Sequence, residues 1–214
     1  MQNERSGWLK WVLALLLVAG VAIYVIISRG RPNRAVAGIP DPVQTEAEGS
    51  AHIDLDGFDM TFHYLYSYDI EALVISTQKY DGDNIGDKLA PKDLALAWGK
   101  VAEYNDRIDF HWSQSGRWYH WSADSYEALL PVGGVEGVAT HSANCHLIAT
   151  DANVRATIRK IRTGDHVRIR GYLVNCEGIK KDGTYFTWNS STSRNDTGGG
   201  ACEVIYTTSA EIID

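Results

Sequence analysis

Apolar and polar positions divide the chain into three regimes. Residues 11–27, WVLALLLVAGVAIYVII, run for seventeen positions without a charge. Residues 29–50 hold three of the five prolines and no apolar period. From Ile53 onward short alternating runs predict strands. Phe62, Tyr64 and Tyr66 alternate with His63 and Leu65, and Ile70, Ala72, Val74 and Ser76 predict a second strand ending near Tyr80.

The most regular stretch, residues 140–176, predicts strand, capped helix, tight turn and long strand. Asp151 stands at the N-cap, where its carboxylate can accept from the free amides of a first turn. Val154, Ile158 and Ile161 follow at helical spacing. Arg159, Lys160 and Arg162 suit the negative end of the helix dipole, and Gly164 supplies the stop. From Asp165 the period becomes two: Val167, Ile169 and Leu173 share one face, and Arg168, Arg170 and Tyr172 the other. Gly171 inside that strand marks a bulge or a bend.

Elsewhere the pattern is weaker. Pro91 opens a predicted helix, PKDLALAWGKVAEY, with Leu94, Ala97, Trp98 and Val101 as its apolar face. Phe110, Trp112, Trp118, Tyr119 and Trp121 make the next segment aromatic, either as core and rim or as a stacking platform. Pro131, Gly133, Gly134 and Gly137 then break the chain. After residue 176 come a turn at Lys181-Asp182-Gly183, a strand TYFTWNS, a polar loop and a closing strand ACEVIYTTS. The fold class expected is mainly β with two short helices, as a curled sheet or small OB-like barrel.

The uncharged run changes the setting. Residues 8–28 as a helix reach roughly the thickness of a hydrocarbon core. The run is longer than the apolar region of a signal peptide, and Arg29, Arg31 and Arg34 precede the small-residue site at 35–37. The expected organisation is a tail and transmembrane helix over 1–28, a flexible tether over 29–50 and one domain over 51–214. Basic residues flank the run almost evenly, and a short N-terminal tail favours a periplasmic domain. The lipid bilayer is thus one expected partner, through residues 8–28.

Charge narrows the others. Of 20 Lys+Arg and 27 Asp+Glu, five and one fall in residues 1–34; the remaining 15 and 26 leave a balance of −11. So acidic a domain is a poor general binder of nucleic acid or of anionic lipid, because phosphate contacts need clustered cations. Of three cysteines, Cys176 and Cys202 fall in predicted strands and could pair in an oxidising compartment; three buried thiols are the alternative.

Together the motifs DLALAWG, SGRWYHW, THSANCHLI, GDHVRIRGYLVNC and NDTGGGACEVIY are similar to those of a group of uncharacterised bacterial membrane-anchored proteins. The resemblance covers roughly residues 85–208. It implies a bacterial inner-membrane and envelope setting, and a special role for segments 140–148 and 194–203.

Candidate chemistry concentrates in those segments. In THSANCHLI an extended backbone puts His141 and Cys145 on one face and His146 on the other. Zinc would need recruits such as His111, His120 or Cys202, and no close ligand pair is present, so no metal or cofactor is expected. Cys145 beside His141 is a candidate nucleophile. Asp196-Thr197-Gly198 looks like an aspartic-protease triplet but lacks the strand context that would bring two carboxylates together. The acids of YDGDNIGDK lack the glycine and glutamate positions of a calcium loop. Arg168, Arg170 and Tyr172 would suit the binding face of an OB-type barrel.

The binding residues expected are His141, Ser142, Asn144, His146, Arg194, Asp196 and Glu203, with His141, Cys145 and Asp196 as catalytic candidates. The function expected is a noncatalytic envelope binding or assembly module within a larger membrane complex, with an envelope protein as partner. The alternative is a hydrolase or metal-dependent enzyme centred on residues 140–148.

Overall fold

The longest element is β3 (Phe58–Lys79), one strand of 22 residues where the alternation predicts two. It is seen in a computed structural model that describes residues 11–19, 33–196 and 200–213. The strand stays continuous because its period slips at irregularities rather than at a turn. Register shifts fall between Tyr64 and Tyr66 against β8 (His166–Lys180), and between Val74 and Ser76 against β4 (Lys92–Ala97). Such bulges bend and twist a strand.

β8 pairs with one edge of β3 from Phe58 to Leu73. The other edge is shared in order by β2 (Ser50–Leu55), β1 (Val43–Glu46) and β4. β4 pairs with β7 (Ser142–Ala149), and β7 runs parallel to β10 (Glu203–Ile212). β10 pairs with β8, whose end also carries β9 (Tyr185–Asn189). Pairing that leaves β3 through β4 thus returns to it through β8. The fold is mainly β, as the sequence predicts.

Gly171 lies where β10 comes closest. A Cβ there would stand 2.2 Å from the Tyr206 carbonyl oxygen, so only glycine admits the approach. The irregularity itself lies opposite, in β10 between Thr207 and Ser209.

The predicted central helix is present as α4 (Ala152–Lys160). Asp151 Oδ1 accepts from the amides of Asn153 and Val154 at 2.7 and 3.0 Å, and Val154 and Ile158 are buried. The helix predicted from Pro91 is not formed. Lys92–Ala97 is the strand β4, and only Gly99–Glu103 is helical (α2 here, after α1 at Ile85–Leu89). Every residue of β4 is buried, so its apolar positions do not alternate and mimic a helical run. The broken region before β7 also holds more helix than predicted: a 3-10 helix at Glu127–Val132 and α3 at Gly134–Thr140. With them, the expected two short helices become several.

From residue 33 onward, the stretch expected to be a flexible tether is laid onto the domain; residues 29–32 lie outside the described residues. Ile39 is buried in the main core, the Val36 amide donates to Ala102 O at 3.0 Å, and residues 43–46 form β1. Of the expected transmembrane segment, residues 11–19 are helical and exposed; the rest lies outside the described residues. Among the described residues no helix is long and apolar enough to cross a membrane.

Candidate functional site

The two segments singled out in sequence meet in the ladder between β7 and β10, which sets Glu203 beside Cys145. β7 is central and fully covered from Ser142 to Ile148, so each side chain must find its partner inside the protein. Ser142 and Asn144 face the hairpin of β5 (Ser113–Ser115) and β6 (Trp118–His120). Ser142 Oγ donates to Val138 O at 2.7 Å and lies 3.2 Å from the Tyr119 hydroxyl. Asn144 Nδ2 donates to Arg117 O at 2.9 Å, and its Oδ1 accepts from Gln114 Nε2 at 2.6 Å.

Beside this junction is a cavity of about 380 Å³. Trp118, Tyr119, His120 and Trp121 wall it on one side, and Arg194, Asp196 and Glu203 supply its charge. Glu203 is only 2% exposed. Its Oε1 accepts from Arg194 Nη1 at 2.7 Å, and Arg194 Nη2 donates to the buried Tyr68 hydroxyl at 2.7 Å. The guanidinium also lies over the rings of Tyr68 and Trp98, at 5.1 and 5.5 Å. Burial nevertheless pushes the Glu203 carboxyl up to about 7, against the opposing pull of Arg194 and with a small further push from Asp196. Desolvation outweighs the ion pair here. Asp196 is braced by Ser191, whose Oγ donates to Oδ2 at 2.6 Å. The glycine of its protease-like triplet, with Thr197, lies outside the described residues.

Of the remaining candidates Cys202 also lines the cavity, and the others fall elsewhere. His141 precedes β7; its Nδ1 is 3.0 Å from Gly137 O and its Nε2 is 3.8 Å from Asp41 Oδ1. Cys145 has no exposed surface and lies 4.0 Å from Glu203 Oε2. Burial, then the charge of Glu203, pushes its thiol well up, the reverse of what a nucleophile needs. Cys145, Cys176 and Cys202 are all free thiols, and burial pushes the last two up to about 12 and about 11. His111 is bound to Asp109 and Asp124 at the surface. Among the described residues no group of His, Cys, Asp and Glu converges to hold a metal ion. Arg168 and Arg170 on β8 are spent on Asp69, and Arg170 also on Glu211.

His146 belongs to a second buried cluster, which sequence reasoning missed. Its Nδ1 lies 2.9 Å from Oδ2 of the fully buried Asp93, its neighbour in the β4–β7 ladder, without in-line hydrogen-bond geometry. Asp93 Oδ1 accepts from Arg117 Nη1 at 2.8 Å, and Arg117 Nη2 donates to Asp87 Oδ1 at 2.5 Å. The same guanidinium stacks 3.7 Å from the centre of the Tyr80 ring. Arg117 sits at φ 72°, a backbone region that costs a branched-free side chain about 1 kcal/mol. Its contacts offset that strain and pin the β5–β6 hairpin, hence the aromatic wall, over β4 and β7. The one trace of this in sequence is the SGRWYHW motif.

Compared with family models, curated proteins and solved structures, the chain shows no significant match. What the site does must therefore be argued from its geometry.

Proposed function

We propose that the domain is a binding module whose cavity takes a neutral, hydroxyl-rich ring, a saccharide unit by chemical class. One observation carries this: two tryptophans, Trp118 and Trp121, line the same partly open cavity as the Arg194–Glu203 pair. Aromatic faces accept the apolar side of a ring, while a fixed carboxyl and guanidinium orient its hydroxyls. Trp118 is 43% exposed although it is a large apolar side chain at the cavity wall, which suits a contact surface rather than core. Polyanions are disfavoured by the domain's balance of −11.

The circuit of β3, β4, β7, β10 and β8, with α4 between β7 and β8, supports reading the sheet as an OB-like barrel, a scaffold that lends itself to such ligands. The uncharged run 11–27 supports an envelope setting in which that segment anchors the domain, the domain lies on the periplasmic side and an envelope protein is its partner.

The test is a titration of the purified protein with neutral oligosaccharides, followed by tryptophan fluorescence, with single-stranded DNA as control. Saturable binding of a neutral sugar, weakened at least ~10-fold in Trp118→Ala, is expected for loss of a stacking wall. Binding that ignores Trp118→Ala, or is confined to the polyanion, overturns the reading. A second reading, hydrolysis, is favoured by the Glu203 carboxyl at about 7, within the range of a general acid, with Asp196 beside it. Turnover of a bound sugar that disappears in Glu203→Gln would select it.

A further inference from the structure

The chain reaches the domain at one identifiable place. Arg34 Nη1 donates to Gly164 O at 3.2 Å, and Arg34 O accepts from Asn105 Nδ2 at 2.8 Å. Gly164 belongs to the turn between α4 and β8, and cations gather around that turn. Lys79 and Lys92 stand directly opposite one another across β3 and β4. Arg159 and Lys160 end α4, and Arg162 follows. Lys92 Nζ donates to the carbonyls of Arg159 and Ile161, tying the strand's cation to the end of the helix. Asp165 is the acid beside them, and its Oδ2 is taken by the Arg162 amide at 2.7 Å.

Lys79, Arg159 and Lys160 are exposed. With Arg34 and Arg162 they put five cations at one end, while residues 35–214 carry a balance of −11; Lys92 is buried beneath them. Like charges this close repel, which offsets part of what the last-turn cations gain from the helix dipole. Burial, then Lys79 and Arg162 among its charged neighbours, lowers the Lys92 ammonium to about 8, as such crowding should.

Chain length says what lies opposite. Only residues 28–32 separate the uncharged run from Asn33, and two of them, Arg29 and Arg31, are basic. Fully extended, that link reaches at most roughly 20 Å. A headgroup layer takes up about 5–8 Å of it. The basic end is therefore kept within about 12–15 Å of the surface of any bilayer that holds the run, under two Debye lengths of about 8 Å at physiological salt.

We propose that this basic end is a docking face for the anionic lipid surface of that bilayer. The proposal rests on the reading of residues 11–27 as an anchor. Attraction at the outward-facing cations, Lys79, Arg159 and Lys160 foremost, and repulsion of the acidic remainder then fix the domain's attitude as well as its height. Ser142, at the cavity, opens β7, and α4 follows its other end; the eight residues of the strand span roughly 23 Å. Docking at the α4 end holds the cavity off the membrane, facing the aqueous side.

The experiment uses the full chain in nanodiscs of phosphatidylcholine, alone or mixed with phosphatidylglycerol, and reads amide hydrogen exchange over residues 152–166. Slower exchange in the anionic discs alone is expected, reversed by high salt and by the Arg159→Glu/Lys160→Glu double variant. High salt tests the same contact without a substitution, should that variant fold poorly. Insertion with identical exchange in both discs overturns the docking face and leaves the anchor standing. A chain that stays out of both discs overturns the anchor, and docking with it.

Discussion

Glu203→Gln tests the site's electrostatics against intuition. Removing one partner of a buried ion pair is ordinarily destabilising. Here the carboxyl is held at about 7 by burial, above its ordinary 4.5. The folded protein therefore binds a proton at Glu203 that the unfolded chain has released, between pH 4.5 and 7. Stability contributed by this group is full below pH 4.5 and is lost as pH rises through 7. A rise of about 2.5 pH units corresponds to roughly 3 kcal/mol. Glutamine keeps the shape and cannot ionise, so its fixed packing cost cancels when the variant is compared with the parent at two pH values. Urea unfolding of both proteins at pH 4.5 and pH 8 gives the comparison. The variant should gain about 3 kcal/mol relative to the parent across that range. A difference that does not move with pH would refute the elevated carboxyl. A variant that loses ground as pH rises would show that Arg194 dominates and holds Glu203 ionised.

Three further outcomes follow from the geometry. Gly171→Ala should destabilise by more than about 2 kcal/mol in urea unfolding, because its Cβ meets backbone oxygen and not a movable side chain. Asp93→Asn should cost about 1–3 kcal/mol by the same method, since it removes the fully buried one of the two carboxylates that pair with Arg117 and leaves only Asp87; proteolysis within the β5–β6 hairpin should quicken with it. Thiol labelling followed by mass spectrometry should modify Cys202 first in the native protein, and reach Cys145 and Cys176 only on unfolding; early labelling of Cys145 would reopen it as a nucleophile.

How much of this was legible depends on whether a residue's role is local. Asp151, Val154, Ile158 and Lys160 carry their helix within a single stretch, and β8 announces itself by alternation on one half-covered sheet face. β4 could not be read that way. Its neighbours cover both faces, so Leu94, Ala95, Leu96 and Ala97 give no period, and Asp93 looks like a surface acid until Arg117 arrives from a hairpin 24 residues away. The tether reading failed for a similar reason: Ile39 is one apolar residue among polar ones, and only the fold supplies the pocket that buries it. Within the site, sequence marked Ser142, Arg194, Asp196 and Glu203, which do line the cavity. It placed His141, Asn144 and His146 with them, although their hydrogen bonds and ion contacts are made with Gly137, Gln114 and Asp93.

The β3–β8 ladder also governs how the protein comes into being. It joins Leu73 to His166 and Phe58 to Lys180, partners separated by 93 and 122 positions. Their loops must close before any of that pairing is rewarded, which places folding among slow, non-local topologies, on the order of milliseconds to seconds. On a ribosome adding about 5–20 residues per second, β3 waits several seconds for its main partner. During that wait β2 and β1 lie next to it in the chain and can pair with the opposite edge. Their brevity is then an asset: they cover an apolar strand early without competing for the edge that β8 must take.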